Sequence, residues 1–446
     1  MGERGANREP ATERDRARMA ELTLEGMKAG AFGFATSRTL NHRAADGRHI
    51  PTLRAEEAEL TAIARAMRIA GAGWLQIVSD FQDQQGEIGL FRRLARESGR
   101  PVTITMIQSD AHPEGWRELM KQIDDANGEG LRITAQIRSR PTSVLLGLEL
   151  TQNPFMGRPS YRTIAHLPIA ERVEILRQPE FRARLLAEAY EGSRRGAERI
   201  ERWDRMFPLG DPPNYEPAEE SSLGAQARRE DRDPREIVYD YLIANEGRNF
   251  IFAPFANFAA YNLDCCSEMM QSPYTLIGLG DGGAHVGLIS DGSFPTTLLA
   301  HWGRDRARGT LDQAWLVKRQ TSDNARAVGL MDRGVLAPGY KADLNVIDFD
   351  KLVYQLIIID VFFNVILTLV TDEVPQVEEA RRVEEQSLAE GFHRVVGHYG
   401  FMEEPDVPAL LARCRIDGKP IEVNTTTNLL TIGVLSVCRR CDCTCA

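Results

Sequence analysis

The feature that most constrains the fold is a repeated unit, in which an amphipathic helical stretch precedes a short apolar run that ends in small or polar residues. The apolar runs are continuous rather than alternating, which predicts strands that are buried on both faces of a sheet. Helical stretches between them predict parallel crossover connections, so the expected class is α/β. The predicted strands are Ala31–Ser37, Trp74–Ser79, Val102–Gln108, Leu131–Ile137, Phe250–Phe255 and Thr275–Gly280.

The spacing of these strands limits the architecture. The second, third and fourth strands start about thirty residues apart, which suits a TIM-type barrel or a doubly wound sheet. A closed barrel needs eight strands, and at most six are predicted here. If the fold is a barrel, the chain therefore starts at a later strand than the first. Pro-rich, charged sequence over about 150–235 predicts an elaborated loop or lid. Gly334–Asp348 predicts a turn and a strand of a small separate β unit, and from Lys351 the sequence changes character.

Charge and cysteine content argue against several functional classes. With 54 Lys plus Arg against 64 Asp plus Glu, the net charge of -10 disfavours a general nucleic-acid binder. The 7 cysteines are badly distributed for a disulfide scaffold, which predicts a reducing, cytoplasmic compartment, and the C-terminal CRRCDCTC is interpreted as an unstructured thiol-rich tail. The charged N-terminus is not a secretory signal. The apolar run of residues 354–370 is short for a membrane span and contains Asp360 and Asn364.

The segment that is most informative about chemistry is Leu279–His285, with the sequence LGDGGAH, directly after an apolar strand. In a parallel barrel, side chains at the carboxyl ends of strands line the active-site mouth, so Asp281 is a candidate catalytic carboxylate. The glycines that follow let backbone approach a ligand closely. The structural alternative is a tight turn that Asp281 caps.

Further along the chain, this segment leads into two helices, a TSDNARAVGL turn at residues 321–330 and the stretch GVLAPGYKADL at residues 334–344. This succession resembles the amidohydrolase superfamily, and within it the N-acyl-D-amino-acid deacylase (D-aminoacylase-like) group. Ala29–Arg43 (AGAFGFATSRTLNHR) and Arg54–Met67 agree with the resemblance, which covers about residues 1–350. It implies that the visible strands are the fourth to eighth of a barrel, with one additional strand in the insertion.

The resemblance also implies an activity and a cofactor. The expected reaction is hydrolysis of a non-peptide amide C–N bond, assisted by a divalent metal, normally zinc. Asp281 matches the strand-eight aspartate that takes a proton from the attacking water and passes it to the leaving nitrogen. Gly334–Asp348 is expected to be the remnant of a small β-sandwich, followed by an atypical C-terminal tail.

The sequence departs from the family pattern at the metal site. The family's first strand carries an HxH pair, and no HxH occurs in these 446 residues. The fifth and sixth strands normally end in histidine, whereas here they end in Val78-Ser79-Asp80 and Gln108-Ser109-Asp110. Asp80 and Asp110 are therefore weak metal-ligand candidates beside Asp281, with helix N-capping as the alternative. The expected fold is an incomplete barrel that lacks the first three βα units, and metal binding by this chain is in doubt.

Three basic side chains are candidates for substrate binding. His285 lies four residues after Asp281 and could orient substrate, although a loop histidine that caps the next helix is the alternative. Arg38 and His42 follow the first visible strand and could bind a substrate carboxylate or carbonyl, with a loop salt bridge as the alternative. No Arg or Lys occurs between Ala284 and Ala300, so the residue that would hold a substrate carboxylate is not evident there.

These interpretations predict a barrel over residues 1–333, a small β remnant over 334–350 and a tail over 351–446, which is alternatively a grafted membrane-binding or partner-binding segment. The expected partner is a small-molecule amide, and the open barrel edges predict self-association. The competing interpretation is a catalytically inactive truncated homologue, or an interaction scaffold, because HxH is absent.

Overall fold

The computed structural model describes residues 1–44, 47–192, 200–210, 212–278, 293–341, 347, 349–353, 415–416 and 419–420. Asp281 and His285 lie outside the described residues, as do the apolar run 354–370 and the cysteine-rich end. Two compact units are distinguished by their internal contacts. The first comprises Met1–Pro141, Ala256–Leu279 and Asp312–Ala337, and the second comprises Thr142–Phe255, Gly280–Leu311 and Pro338–Ala446.

The first unit is built on a parallel sheet of five strands, which lie in the order Gly33–Arg38 (β1), Trp74–Ser79 (β2), Val102–Thr105 (β3), Ile133–Ile137 (β4) and Thr275–Ile277 (β8). Neighbouring strands are parallel throughout, and helices connect them, so the expected α/β class and the incomplete TIM-type barrel of five strands are confirmed.

The two faces of this sheet differ in burial. One row of residues that are paired across the five strands is buried. Its members are Thr36, Ile77, Ile104, Ala135 and Thr275. The next row along the strands points to the opposite face and is half-buried. Its members are Ser37, Val78, Thr105, Gln136 and Leu276. This second face, here called the inner face, would be packed in a closed barrel and is partly exposed in this open one.

Capping residues mark the ends of some helices of the first unit. Thr12 and Asp15 form a reciprocal capping box at the start of the second helix. Gly71 and Gly99 adopt φ values of 65° and 61° and end two further helices, because glycine takes the left-handed conformation without steric cost. The α-helices of this unit are Glu3–Ala6, Glu13–Lys28, Glu57–Ala70, Gln84–Ser98, Gly115–Gly128, Asp264–Gln271, Gln313–Lys318 and Asn324–Ala327, with a 3₁₀ turn at Pro51–Arg54 and a π-helical turn at Arg319–Asp323.

The second unit contains the region that the sequence predicts as a loop or lid over about 150–235. Instead of an extended loop, the structure shows helices around a buried core that includes Tyr161, Phe155, Tyr239 and Leu242. Its α-helices are Pro159–Ile164, Ile169–Leu176, Pro179–Ala187, Leu223–Glu230, Pro234–Ile243 and Phe294–Ala300; short helical turns are at Trp203–Arg205, Glu219–Ser221, Asn245–Gly247 and His301–Asp305. The region therefore has enough apolar side chains to form a core of its own.

The predicted strand Phe250–Phe255 is present but belongs to a different sheet. It forms β7, Ile251–Ala256, which is the central strand of a three-stranded sheet between Thr142–Leu146 (β5) and Phe207–Pro208 (β6), and it is antiparallel to β6. The antiparallel pairing with β6 was not expected, because a continuous apolar run indicates that a strand is buried on both faces but does not indicate which strand lies beside it. β5 (Thr142–Leu146) and β6 (Phe207–Pro208) are strands that the sequence analysis missed.

The C-terminal part is described only in fragments. Residues 334–341 form turns, and most of the predicted strand that follows them lies outside the described residues. β9 (Arg415–Ile416) and β10 (Lys419–Pro420) form a short antiparallel pair. Within the described ranges, none of the helices has the length and apolar character needed to cross a bilayer.

The edges of the parallel sheet are partly covered by side chains. On β8, the carbonyl of Ile277 accepts from Gln320 Nε2 at 3.1 Å and from Asn324 Nδ2 at 2.9 Å. On β1, the carbonyl of Ser37 accepts from Thr52 Oγ1 at 2.8 Å, whereas Ala35 is exposed. Among the described residues, side chains thus cover part of each edge, and Ala35 is the exposed residue within β1.

We expect this exposed part of β1 to make the purified chain self-associate. Placing a lysine at Ala35, on the exposed edge, should reduce association because an inward charge opposes edge-to-edge strand pairing. Light scattering over a range of concentrations measures the effect. A native chain that is a monodisperse monomer and melts cooperatively would contradict the expectation.

Candidate functional site

The candidate site is the carboxyl edge of the parallel sheet, where active sites of parallel α/β proteins are built. The strands end there at Arg38, Ser79, Thr105, Ile137 and Ile277. Arg38 and Ser79 are paired in register at the ends of β1 and β2. Polar side chains from these two strands therefore meet at one point of the edge.

Arg38 forms a two-pronged ion pair with Glu87. Its Nε lies 2.9 Å from Glu87 Oε2 and its Nη2 lies 2.9 Å from Oε1, while Nη1 donates to the carbonyl of Ala55 at 2.9 Å. The two side chains are only 16% and 18% exposed, and Ser79 Oγ donates to the same carboxylate at 3.0 Å. This is the geometry of the salt-bridge alternative. Substrate binding by Arg38 stays a prediction.

Removing the carboxylate should test how much this pair stabilises the fold. We expect Glu87→Gln to lower the free energy of unfolding by about 2 kcal/mol, because a half-buried guanidinium loses a two-pronged charged partner. The matched control is Glu97→Gln, which breaks an exposed pair with Arg65 and should change stability far less. Urea unfolding of both variants makes the comparison. Equal effects would mean that the Arg38 pair is no stronger than a surface pair.

His42 and Asp80 organise the loop that follows β1. His42 Nδ1 lies 2.6 Å from Ser37 Oγ. Asp80 Oδ2 accepts from the backbone N–H of Leu40 at 2.7 Å, and Oδ1 accepts from the hydroxyl of Thr39. Asp80 is not the cap of the next helix, since Asp83 fills that position by accepting from Gly86 N at 3.0 Å. Its carboxylate holds the β1 loop instead.

Asp110 follows β3 beside Ser109, whose backbone forms an isolated antiparallel bridge with Ala256. It does not cap the helix Gly115–Gly128, which Glu114 precedes without a side-chain capping bond. The N-cap alternative is therefore wrong for Asp110 as well. The structure gives Asp110 no ligand geometry, so its role as a metal ligand stays a prediction.

The described residues do not fit the expected divalent cation. A structural or catalytic metal site needs three or four donors that converge on one point. No group of three or more His, Cys, Asp and Glu side chains within the described ranges has that arrangement. Both oxygens of Asp80 are already used as acceptors within the chain.

Sequence reasoning missed a buried pair at the end of β3. Gln108 Oε1 accepts from Ala259 N at 3.0 Å, and its backbone N–H donates to Asn257 Oδ1 at 2.7 Å. Asn257 returns a bond from its own N–H to the carbonyl of Gln108 at 3.0 Å. Asn257 is fully buried at φ 60°, a conformation that asparagine tolerates better than most residues. The asparagine directly after the apolar run IFAPFA was the available signal.

Two buried arginines stand just beyond the end of β4. Arg138 follows the last strand residue Ile137, and Arg140 lies two residues further along. Arg138 is 7% exposed and Arg140 is fully buried. Buried guanidinium groups are costly unless acceptors face them, so their presence at this edge favours an anionic environment. The RSR sequence after an apolar strand was the signal in this case.

Comparisons with known proteins give two separate matches. Residues 1–357 match the model of the amidohydrolase family, and residues 363–436 match that of the K+ potassium transporter C-terminal domain. A probable potassium transport system protein Kup of Nitrosomonas eutropha is 46% identical over 67 residues, which is 15% of this chain and 10% of that protein. The corresponding protein of Pseudomonas putida is 45% identical over 67 residues, 15% of this chain and 11% of that protein. The chain thus spans about a tenth of the length of these curated relatives.

Solved structures of D-aminoacylase are also similar. One, described as defining a novel subset of amidohydrolases, is 17% identical with a TM-score of 0.41, over 75% of this chain and 57% of that chain. Another, which concerns the binuclear metal center of D-aminoacylase, is 16% identical with a TM-score of 0.42, over 78% of this chain and 61% of that chain. The family assignment rests on the match over residues 1–357, which is most of the sequence. By that match, the chain belongs to the amidohydrolase family.

Proposed function

We propose that the chain is a hydrolase of non-peptide amide C–N bonds, of the D-aminoacylase type. The observation that carries this proposal is the amidohydrolase match over residues 1–357. The parallel sheet supports it, because polar side chains gather at the edge where such folds place their chemistry. Asp281 follows β8 by four residues in the sequence and is the proposed proton-transfer residue.

The proposed reaction adds water across the amide. The oxygen of water bonds to the carbonyl carbon while Asp281 accepts a proton from that water. Asp281 then returns the proton to the amide nitrogen, and the C–N bond breaks to give a carboxylic acid and an amine. His285 and His42 are proposed to bind the substrate. Arg38 is proposed to bind the substrate as well. Nη1 donates one N–H to the carbonyl of Ala55 and Nη2 donates one to Glu87, so each nitrogen has a second N–H for a substrate oxygen.

A divalent cation, normally zinc, is the expected cofactor by resemblance. The described residues do not provide its donors, so no step above depends on it. The metal ligands stay unknown, with Asp281, Asp80 and Asp110 as weak candidates. A small-molecule substrate and a cytoplasmic location are likewise proposals, the latter supported by the cysteine distribution.

A second candidate is a catalytically inactive homologue that acts as a scaffold. The absence of HxH from the sequence and the internal use of Arg38 and Asp80 favour it. A panel of N-acyl-D-amino acids, their L enantiomers and cyclic amides separates the two candidates. The hydrolase proposal predicts release of free amine from at least the D series. Release no faster than in buffer for every compound would support the scaffold.

A further inference from the structure

We propose that Arg68, Arg100 and Arg132 form a site for the phosphate group of a small soluble ligand. The site lies at the amino-terminal edge of the parallel sheet, since Arg100 and Arg132 precede β3 and β4 in the sequence. It is therefore at the opposite end of the strands from the candidate functional site, and it does not depend on the proposed hydrolase function. These three arginines are here called the basic cluster.

Arg100 and Arg132 lie beside each other at the beginning of two neighbouring strands. The N–H of Val102 donates to the carbonyl of Arg132 at 2.8 Å, so the chain at Arg132 runs next to the first residue of β3. Nη2 of Arg132 donates to the carbonyl of Gly99, the residue before Arg100, at 3.1 Å. Partial burial and the neighbouring charge of Arg132 both lower the pKa of the Arg100 guanidinium, so the two charges repel each other.

Arg68 approaches the same place from the last turn of the helix that precedes β2. Its Nε donates to the carbonyl of Glu97 at 2.5 Å. Its guanidinium carbon lies 4.0 Å from the position that a Cβ atom on Gly99 would take. Gly99 is thus in contact with Arg132 and close to Arg68, and Arg100 is the next residue in the chain. The three guanidinium groups therefore gather around one turn.

No carboxylate of the described residues forms an ion pair with the basic cluster. The side-chain hydrogen bonds of all three arginines go to backbone carbonyls, which carry no net charge. The carboxylate of Glu97 is bound by Arg65 instead, at 2.9 Å. Arg68 and Arg132 are exposed, so an ion can reach them from solvent. A chain with a net charge of -10 thus keeps three neighbouring positive charges without an ion-pair partner.

Capping of helix ends is the structural alternative for these arginines. Arg100 and Arg132 donate to the carbonyls of Gly71 and Gly99, each of which ends a helix in the left-handed conformation. Capping occupies only part of each guanidinium group, which has five N–H donors. Within the described part of the chain, the Arg132 side chain uses one donor and the Arg100 side chain uses two. The remaining donors and the unpaired charges are available to an anion.

A phosphate group fits this arrangement better than a carboxylate does. Guanidinium groups bind phosphate oxygens through paired N–H donors. The three terminal oxygens of a phosphate monoester can accept from more than one guanidinium group at once. Its double charge also offsets more of the repulsion among three like charges than a single charge would. Binding should therefore stabilise the fold as well as hold the ligand.

Calorimetry on the full chain measures binding at constant ionic strength and about pH 8, where a phosphate group carries nearly two negative charges. The probes are inorganic phosphate and glycerol 3-phosphate, with acetate as the singly charged comparison. We expect both phosphates to bind at least about tenfold more tightly than acetate and to raise the melting temperature. Arg132→Gln and Arg68→Gln should each weaken phosphate binding about tenfold, because each removes a charged donor.

The matched control is Arg93→Gln, which removes the same charge from the helix Gln84–Ser98 but at an arginine that already pairs with Glu57. Its affinity for phosphate should stay within about twofold of that of the native chain, because the lost charge is exposed and screened. If one cluster variant does not melt cooperatively, the other decides. Phosphate binding no tighter than acetate, or an equal loss of affinity in Arg93→Gln, would overturn the site and leave the arginines as helix caps. Binding to phosphatidic acid vesicles without binding to either soluble phosphate would overturn the assignment to a small soluble ligand.

Discussion

Asp281→Asn is expected to lower the rate of amide hydrolysis by a factor of about 10² to 10⁴, the usual contribution of a positioned proton-transfer group. Asparagine has nearly the same shape as aspartate but cannot carry the proton. Turnover should therefore fall while the melting temperature changes little. Initial rates and thermal melts on the same sample measure both.

The matched control is Asp125→Asn, which alters an exposed carboxylate on the helix Gly115–Gly128. Its rate and stability should both equal those of the native chain. If Asp281 instead caps a turn, Asp281→Asn should lower the stability and leave the rate of hydrolysis unchanged. Retained rate with lowered stability in Asp281→Asn would therefore refute the catalytic assignment.

Replacement of Arg319 is expected to have the largest effect on stability. The Nη2 of this buried side chain lies 2.6 Å from the carbonyl of Thr275, 3.2 Å from that of Met270 and 3.4 Å from that of Ser272. It thus ties the end of the helix Asp264–Gln271 to the start of β8. Arg319→Met removes the guanidinium donor from the carbonyls of Thr275 and Met270 and the cationic partner from Asp323, and it should cost about 3 kcal/mol.

Arg326→Met is the matched control, because Arg326 lies in the next helix and is exposed. Chemical denaturation should show nearly native stability for this variant. If the two methionine variants lose equal stability, the hydrogen bonds from Arg319 to β8 do not contribute specifically to the stability of the fold. If Arg319→Met is as stable as the native chain, the carbonyls have found other donors, and water is the first to consider.

The strands were predictable because their apolar runs are continuous. Ile77, Ile104 and Ala135 lie in the centre of the buried row, and each was within a predicted strand. Which strand pairs with which could not be predicted from these apolar runs. β7 has the same apolar pattern as the parallel strands yet pairs with β6, since pairing depends on contacts between distant segments.

The strand-end placement of two candidate residues was predictable, but their contacts were not. Strand-end polar residues such as Arg38 and Asp80 do lie at the carboxyl edge. Their partners could not be inferred, because Glu87 is 49 residues from Arg38 and Leu40 is 40 residues from Asp80. Asn257 and Gln108 are 149 residues apart, and only the folded sheet brings them together.

The central claim, that this chain hydrolyses an amide C–N bond, is tested most directly by the release of D-leucine from N-acetyl-D-leucine. The purified full chain is assayed after addition of Zn²⁺, with bound metal measured by elemental analysis in the same sample. The account predicts release well above the rate in buffer, and loss of that release in Asp281→Asn. A cooperatively folded, zinc-supplied chain that releases no D-leucine above the buffer rate would contradict it.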